Sequence, residues 1–199
     1  MVQMLQKKNG LMFGMNKKSG FTLLELLIVV LIIGVLGSVL MPNLKRSTPR
    51  YEREEFIARF NALTQLAWQQ ALSTNKAYQV SIDVGKKVIF LLVDSGEKDR
   101  SGAAVFKPVI GLAQSTSITI PSQIEFKQFF IEGFDMMAKF TRSKTEEMWF
   151  YIIPEGMAQD VVVNFVDTAD TRDDAPRPVG LVLNPFSAQF KIYDTFQKP

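Results

Sequence analysis

The chain is 199 residues long and 47% hydrophobic, with no cysteine, no histidine and a formal net charge of +3. That length and composition allow one domain with a real core plus an attachment. The missing residue types exclude disulfides, thiolate or imidazole metal sites, and catalysis by an imidazole base or a thiol nucleophile.

The N-terminal tail holds the excess of positive charge. Lys7, Lys8, Lys17 and Lys18 lie among the first twenty residues, which contain no acid; taking those four from 23 basic residues leaves 19 against 20 acidic ones, a net of −1. A nucleic-acid partner is therefore not expected of the domain. No G-x-S-x-G, G-x-x-x-x-G-K-[ST] or S-x-x-K spacing occurs, so an enzyme is not expected either.

The tail leads into an apolar run. From Phe21 to Met41 the only charged residue is Glu25, and Leu26 to Met41 contains no charge and only Ser38 as a polar side chain. At about 1.5 Å per residue such a helix is long enough for a hydrocarbon core of roughly 30 Å. Lysines before it and a mixture of Lys45, Arg46, Arg50 and Arg53 with Glu52, Glu54 and Glu55 after it predict a cytoplasmic N-terminus and a domain across the membrane. A cleaved secretory signal would need a shorter apolar core and a small-residue site, which GSVLMPNL does not offer. A buried core helix rarely needs so unbroken a run. An ordinary one-span anchor fits everything except Glu25. An acid in lipid costs a few kcal/mol and is by default functional and partnered; a free amino terminus made by cutting between Gly20 and Phe21 would lie one helical turn away.

Lys17-Lys18-Ser19-Gly20-Phe21-Thr22-Leu23-Leu24-Glu25, followed by this long apolar helix, resembles the class III signal of the type IV pilin family, which includes the pseudopilins of type II secretion systems. The resemblance implies a leader over 1–20, cut after Gly20 by a membrane-embedded prepilin peptidase that N-methylates Phe21. It implies that Glu25 pairs with the terminus of an adjacent subunit in a helical filament, and that 21–41 forms a membrane-spanning and later filament-core helix. Pro42 matches the family's helix-breaking proline, so a break is expected over 42–50. MNKKSG from Met15 would by itself make an ordinary short leader, so Met15 is an alternative start. Gly34 and Ser38 form a small-xxx-small spacing that lets helices approach closely.

Beyond the break, 51–199 is expected to form a periplasmic α+β domain. YEREEFIARFNALTQLAWQQAL repeats Phe56, Phe60, Leu63, Ala67 and Ala71 at helical spacing, which predicts an amphipathic helix packed on a sheet; Ser73-Thr74-Asn75 ends it. Residues 77 to 93 alternate as a hairpin around VGKK, and 94 to 102 read as a charged loop. Further strands are predicted at 117–120, 123–131, 147–153, 160–166, 178–183 and 189–193, giving one helix on an antiparallel sheet.

The stretch from Phe56 to Tyr78, with MWFYIIPEGMAQDVVVNFVD and VGLVLNPFSAQFKIYD, is similar to the H-type minor pseudopilins. Ala188 departs from the Gly that the family often carries in its last turn. The implied role is structural, with other pseudopilins, the prepilin peptidase, the inner-membrane assembly platform and, before assembly, membrane lipid as partners, and with no cofactor or metal. The acidic loop DTADTRDD, with Asp167, Asp170, Asp173 and Asp174, raises calcium as a question, but Arg172 sits within it and the spacing is not an EF-hand, so a solvated loop is expected. The alternative is a minor pilin of a type IV pilus, including a form that binds DNA through Lys107, Lys139, Arg142 or Lys144.

Overall fold

The computed structural model describes residues 22–44, 49–112, 114–140 and 147–199, with backbone alone for 37–44, 139 and 140. Two compact units divide the chain, one up to Arg46 and one from Ser47 on.

The first unit contains α1, Leu23–Leu44. The helix runs through Pro42 to Leu44 and the next one begins at Pro49; residues 45–48 of the break expected over 42–50 lie outside the described residues. A proline inside a helix removes one N–H from the ladder, here the partner of the Ser38 carbonyl, without ending the helix.

The second unit opens with α2, Pro49–Thr74. Pro49 suits the first helical position, where its missing N–H costs nothing. At the other end Asn75 takes φ 53°, a left-handed terminus that Asn tolerates better than most residues. The expected stripe is buried throughout: Phe56, Phe60, Leu63, Ala67 and Ala71 all face the core, joined by Ile57 and Leu66.

Two antiparallel sheets, rather than one, pack against this helix. The first consists of β1 (Tyr78–Asp83), β2 (Val88–Lys98), β3 (Ala104–Pro108), β4 (Ser117–Thr119), β7 (Glu147–Ile153) and β8 (Met157–Ala158) in the order β3-β2-β1-β7-β8, with β4 also on β2. The second consists of β5 (Ile124–Ile131), β6 (Phe134–Asp135), β9 (Val161–Arg172), β10 (Ala175–Asn184) and β11 (Gln189–Tyr193) in the order β11-β10-β9-β5-β6. A single-turn α3, Met137–Phe140, follows β6. Val80, Ile82, Phe150 and Ile152 from the first sheet and Val163, Phe165 and Leu181 from the second are fully buried on the helix side. Side chains of α2 tie into both sheets: Trp68 Nε1 donates to Gly156 O at 2.7 Å and Thr64 Oγ1 to Ala188 O at 2.7 Å, while Asn61 Oδ1 accepts the Phe190 N–H at 2.6 Å.

Two stretches expected as loops belong to strands. Residues 94–98 continue β2, and the reversal into β3 is held by Asp99 Oδ1, which accepts the N–H groups of Ser101 and Ala103 at 2.8 and 3.0 Å. The acidic stretch continues β9 to Arg172, and Asp173 and Asp174, at φ 53° and 60°, make the two-residue turn into β10. Consecutive left-handed residues suit the right-handed twist of a hairpin, and Asp accepts that conformation better than most side chains.

Ala188 is buried at φ 49° in the turn before β11, a conformation that costs a residue with a Cβ about 1–2 kcal/mol. Ala188→Gly is therefore expected to be less destabilising than Ala71→Gly in α2 by about 2 kcal/mol or more, because the second change adds a helix penalty while the first relieves strain. Urea unfolding of the two variants checks the difference; equal costs would show that the turn stores no strain.

Candidate functional site

At the head of α1 the geometry is that of an N-cap, one half of a capping box. Thr22 Oγ1 accepts the Glu25 N–H at 3.2 Å, and the Leu26 N–H reaches the Thr22 carbonyl at 3.2 Å. Thr22 is thus the N-cap and Glu25 the third helical residue, where a carboxylate also complements the helix dipole. Thr22 is not among the site residues expected from the sequence, although T-x-x-E before an apolar run is a readable signal. Gly20 and Phe21 lie outside the described residues.

Every described side chain of α1 from Leu23 to Leu36 is exposed. A helix that is apolar all round without being covered needs lipid or neighbouring helices around it. An added Cβ on Gly34 would meet nothing within 4 Å, so its place on a contact surface is open. The side chain of Ser38 lies outside the described ones. Among the described residues no helix is long and apolar enough to cross a membrane; the span expected over 21–41 extends beyond the described side chains at both ends.

In the domain, the acidic stretch turns out to be neutralised from within. Arg53, on the buried stripe of α2 and only 5% exposed, donates from Nη1 to Asp167 Oδ2 at 2.8 Å and to Asp170 Oδ2 at 2.6 Å. Asp167 is completely buried, and its other oxygen accepts the N–H groups of Ala169 and Asp170 at 3.1 and 3.3 Å. Arg177 approaches Asp170 at 3.6 Å and donates to Asp194 at 2.9 Å. That hydrogen bond raises the Arg177 pKa above its ordinary value and lowers that of Asp194. The four acids do not converge on a cation: Asp167 and Asp170 serve Arg53, whereas Asp173 and Asp174 sit in the hairpin turn. In the sequence Arg53 stands among the charges that flank the apolar run, and its spacing of three from Phe56 is the signal that puts it on the buried stripe.

The basic residues considered for DNA are not assembled into a patch among the described residues. Lys107 pairs with Glu97 at 2.7 Å, and Arg142, Lys144 and the Lys139 side chain lie outside what is described.

The family model described as the prokaryotic N-terminal methylation motif matches residues 15–41. The chain carries the N-terminal motif of the type IV pilin-like family. Its pilin-like start is also similar to the type II secretion system core protein G of Klebsiella pneumoniae, 39% identical over 49 residues, which are 25% of this chain and 35% of that one. The core protein G of Escherichia coli K12 is 40% identical over 48 residues, 24% of this chain and 33% of that one. The match thus spans about a third of the length of these curated relatives. The solved structure of the minor pseudopilin EpsH from the type 2 secretion system of Vibrio cholerae aligns with 71% of this chain and 96% of its own, at a TM-score of 0.49 and 10% identity.

Proposed function

We propose that the chain is a minor pseudopilin of the H type, a structural subunit of the periplasmic pseudopilus of a type II secretion system, acting by assembly rather than catalysis. The observation that carries this reading is α1: a helix exposed on every described side, with one acid in its first turn, lying largely within the methylation motif matched over 15–41. In this reading prepilin peptidase cuts after Gly20 and methylates Phe21, and the helix waits in the inner membrane with the domain in the periplasm. The inner-membrane assembly platform then inserts the helix among those of other pseudopilins.

Glu25 sets the direction of transfer. In lipid an unpaired acid costs about 2.5–3.5 kcal/mol on insertion scales. In a filament a neighbour's ammonium terminus pairs with it, so Glu25 makes lipid the worse home for α1. Glu25→Leu is expected to be cleaved normally yet to shift the distribution toward membrane on the order of a hundredfold, read as the ratio of filament-bound to membrane-bound protein. Wild-type incorporation would remove the charge-pairing role. Gly20→Val is expected to leave the precursor uncut, and a mature-sized band would overturn the cleavage site.

The machine is tested by deletion in the source organism, scoring secreted proteins beside DNA uptake. Loss of secretion with uptake intact supports the pseudopilus; the reverse supports a transformation pilus.

A further inference from the structure

The outer face of the first sheet carries a depression that assembly through α1 does not use. Side chains of the central strands define its rows. Asp94 on β2 lies directly opposite Phe106 on β3, and its N–H pairs with the Ala77 carbonyl at 2.9 Å, which brings Ala77 alongside it. In the next row, Gln79 lies between Leu92 and Tyr151. The Phe106 and Tyr151 rings stand 5.3 Å apart at 34°. Because Ala77 is small and its neighbours are large, the row dips. The result is an open pocket of about 380 Å³ over Ala77, lined also by Asp94, Ala103, Ala104, Phe106, Tyr151, Ile153 and Gln159.

Its chemistry is specific. The Asp94 Oδ1 atom accepts the Gly96 N–H at 2.8 Å, and among the described residues no lysine or arginine forms an ion pair with Asp94. Lys107, on the same hairpin, is committed to Glu97 at 2.7 Å. Tyr151 is held in place: its hydroxyl accepts the Trp149 indole N–H at 2.9 Å, and its backbone N–H donates to Gln159 Oε1 at 2.9 Å. An uncompensated carboxylate beside two aromatic rings and an isoleucine suits a group with an apolar stem and a cationic head. The stem lies along the rings and the head meets the acid.

We propose that this pocket receives the basic side chain, arginine above all, of a partner protein. Arginine fits best because a flat guanidinium can stack on a ring while donating to a carboxylate. The site is formed entirely by the domain and stands independently of the proposed filament role.

The test uses the full chain in nonionic detergent, labelled at alanine methyl groups, and titrated with Ac-Gly-Arg-Gly-NH2 or its norleucine counterpart. The arginine peptide is expected to shift the Ala77, Ala103 and Ala104 signals saturably, with weaker binding as salt rises. Norleucine is expected to leave them in place. Asp94→Asn should weaken arginine binding roughly tenfold or more, and Phe106→Leu, which keeps the apolar bulk, should weaken it several-fold. Unchanged Ala67 and Ala71 signals in both variants establish that the core is intact. No shift at the three pocket alanines, an equal response to norleucine, or undiminished binding in Asp94→Asn would each overturn the proposal.

Discussion

Arg53→Met is expected to destabilise the domain by about 3–5 kcal/mol. The side chain it removes lies on the buried stripe of α2 and reaches two carboxylates, one of them completely buried. Methionine fills much of the space, so the expected loss comes from charge: Asp167 would remain in the core with no cation beside it. Asp170 is less dependent on Arg53, being part-exposed and 3.6 Å from Arg177. These partners suggest their own control. Asp167→Asn preserves an oxygen for the Ala169 and Asp170 N–H groups and removes the charge, so Arg53→Met with Asp167→Asn should recover most of the loss. Thermal unfolding of the full chain in detergent reads both, with a drop of roughly 6–20 °C expected for the single variant. A drop under about 3 °C, or a double variant no better than the single one, would show that the pair does not hold the sheet to the helix.

The same network shows how far the sequence could be read. The apolar spacing of α2 from Phe56 to Ala71 was legible because helical periodicity reports one face directly, and the alternation of Tyr78, Val80 and Ile82 reported β1 in the same way. Partner choice was less accessible. Alternation is identical whether β7 joins β1 or a strand beside it, so the split into two sheets rests on pairings such as Val80 with Phe150 and Phe126 with Phe165 that no local pattern encodes. Polar strand ends were misread for a related reason. DTADTRDD looks like a solvated loop, yet Asp167 and Asp170 continue β9 because a guanidinium from a helix more than a hundred residues earlier neutralises them. At the N-terminus the motif itself is plain in KKSGFTLLE, while the cap formed by Thr22 depends on a hydroxyl three residues before the charge, which the charge pattern does not report.

Gly180→Ala is expected to cost about 1–3 kcal/mol through a contact invisible in sequence. Gly180 lies in β10, paired with Asn164 on β9, where a glycine ordinarily only weakens a strand. Here the C-terminal segment crosses the sheet directly over it. An added Cβ would collide with the Thr195 carbonyl oxygen and stand 2.8 Å from Gln197 Cγ. The Thr195 carbonyl is backbone, so relief requires the segment to lift. Asn164 is fully buried and grips that segment with both ends of its amide, accepting the Gln197 N–H at 2.9 Å and donating to the Gln197 carbonyl at 2.8 Å. Lifting the segment would break both bonds and leave a buried amide with Gln128 alone, which is where most of the cost arises. The prediction is therefore conditional on the tail. In a chain shortened after Asp194, the same substitution should cost less than about 0.5 kcal/mol, and in the full chain it should expose residues 195–199 to carboxypeptidase. Equal costs with and without the tail would mean that Gly180 is required by β10 itself and that the strap over it is incidental.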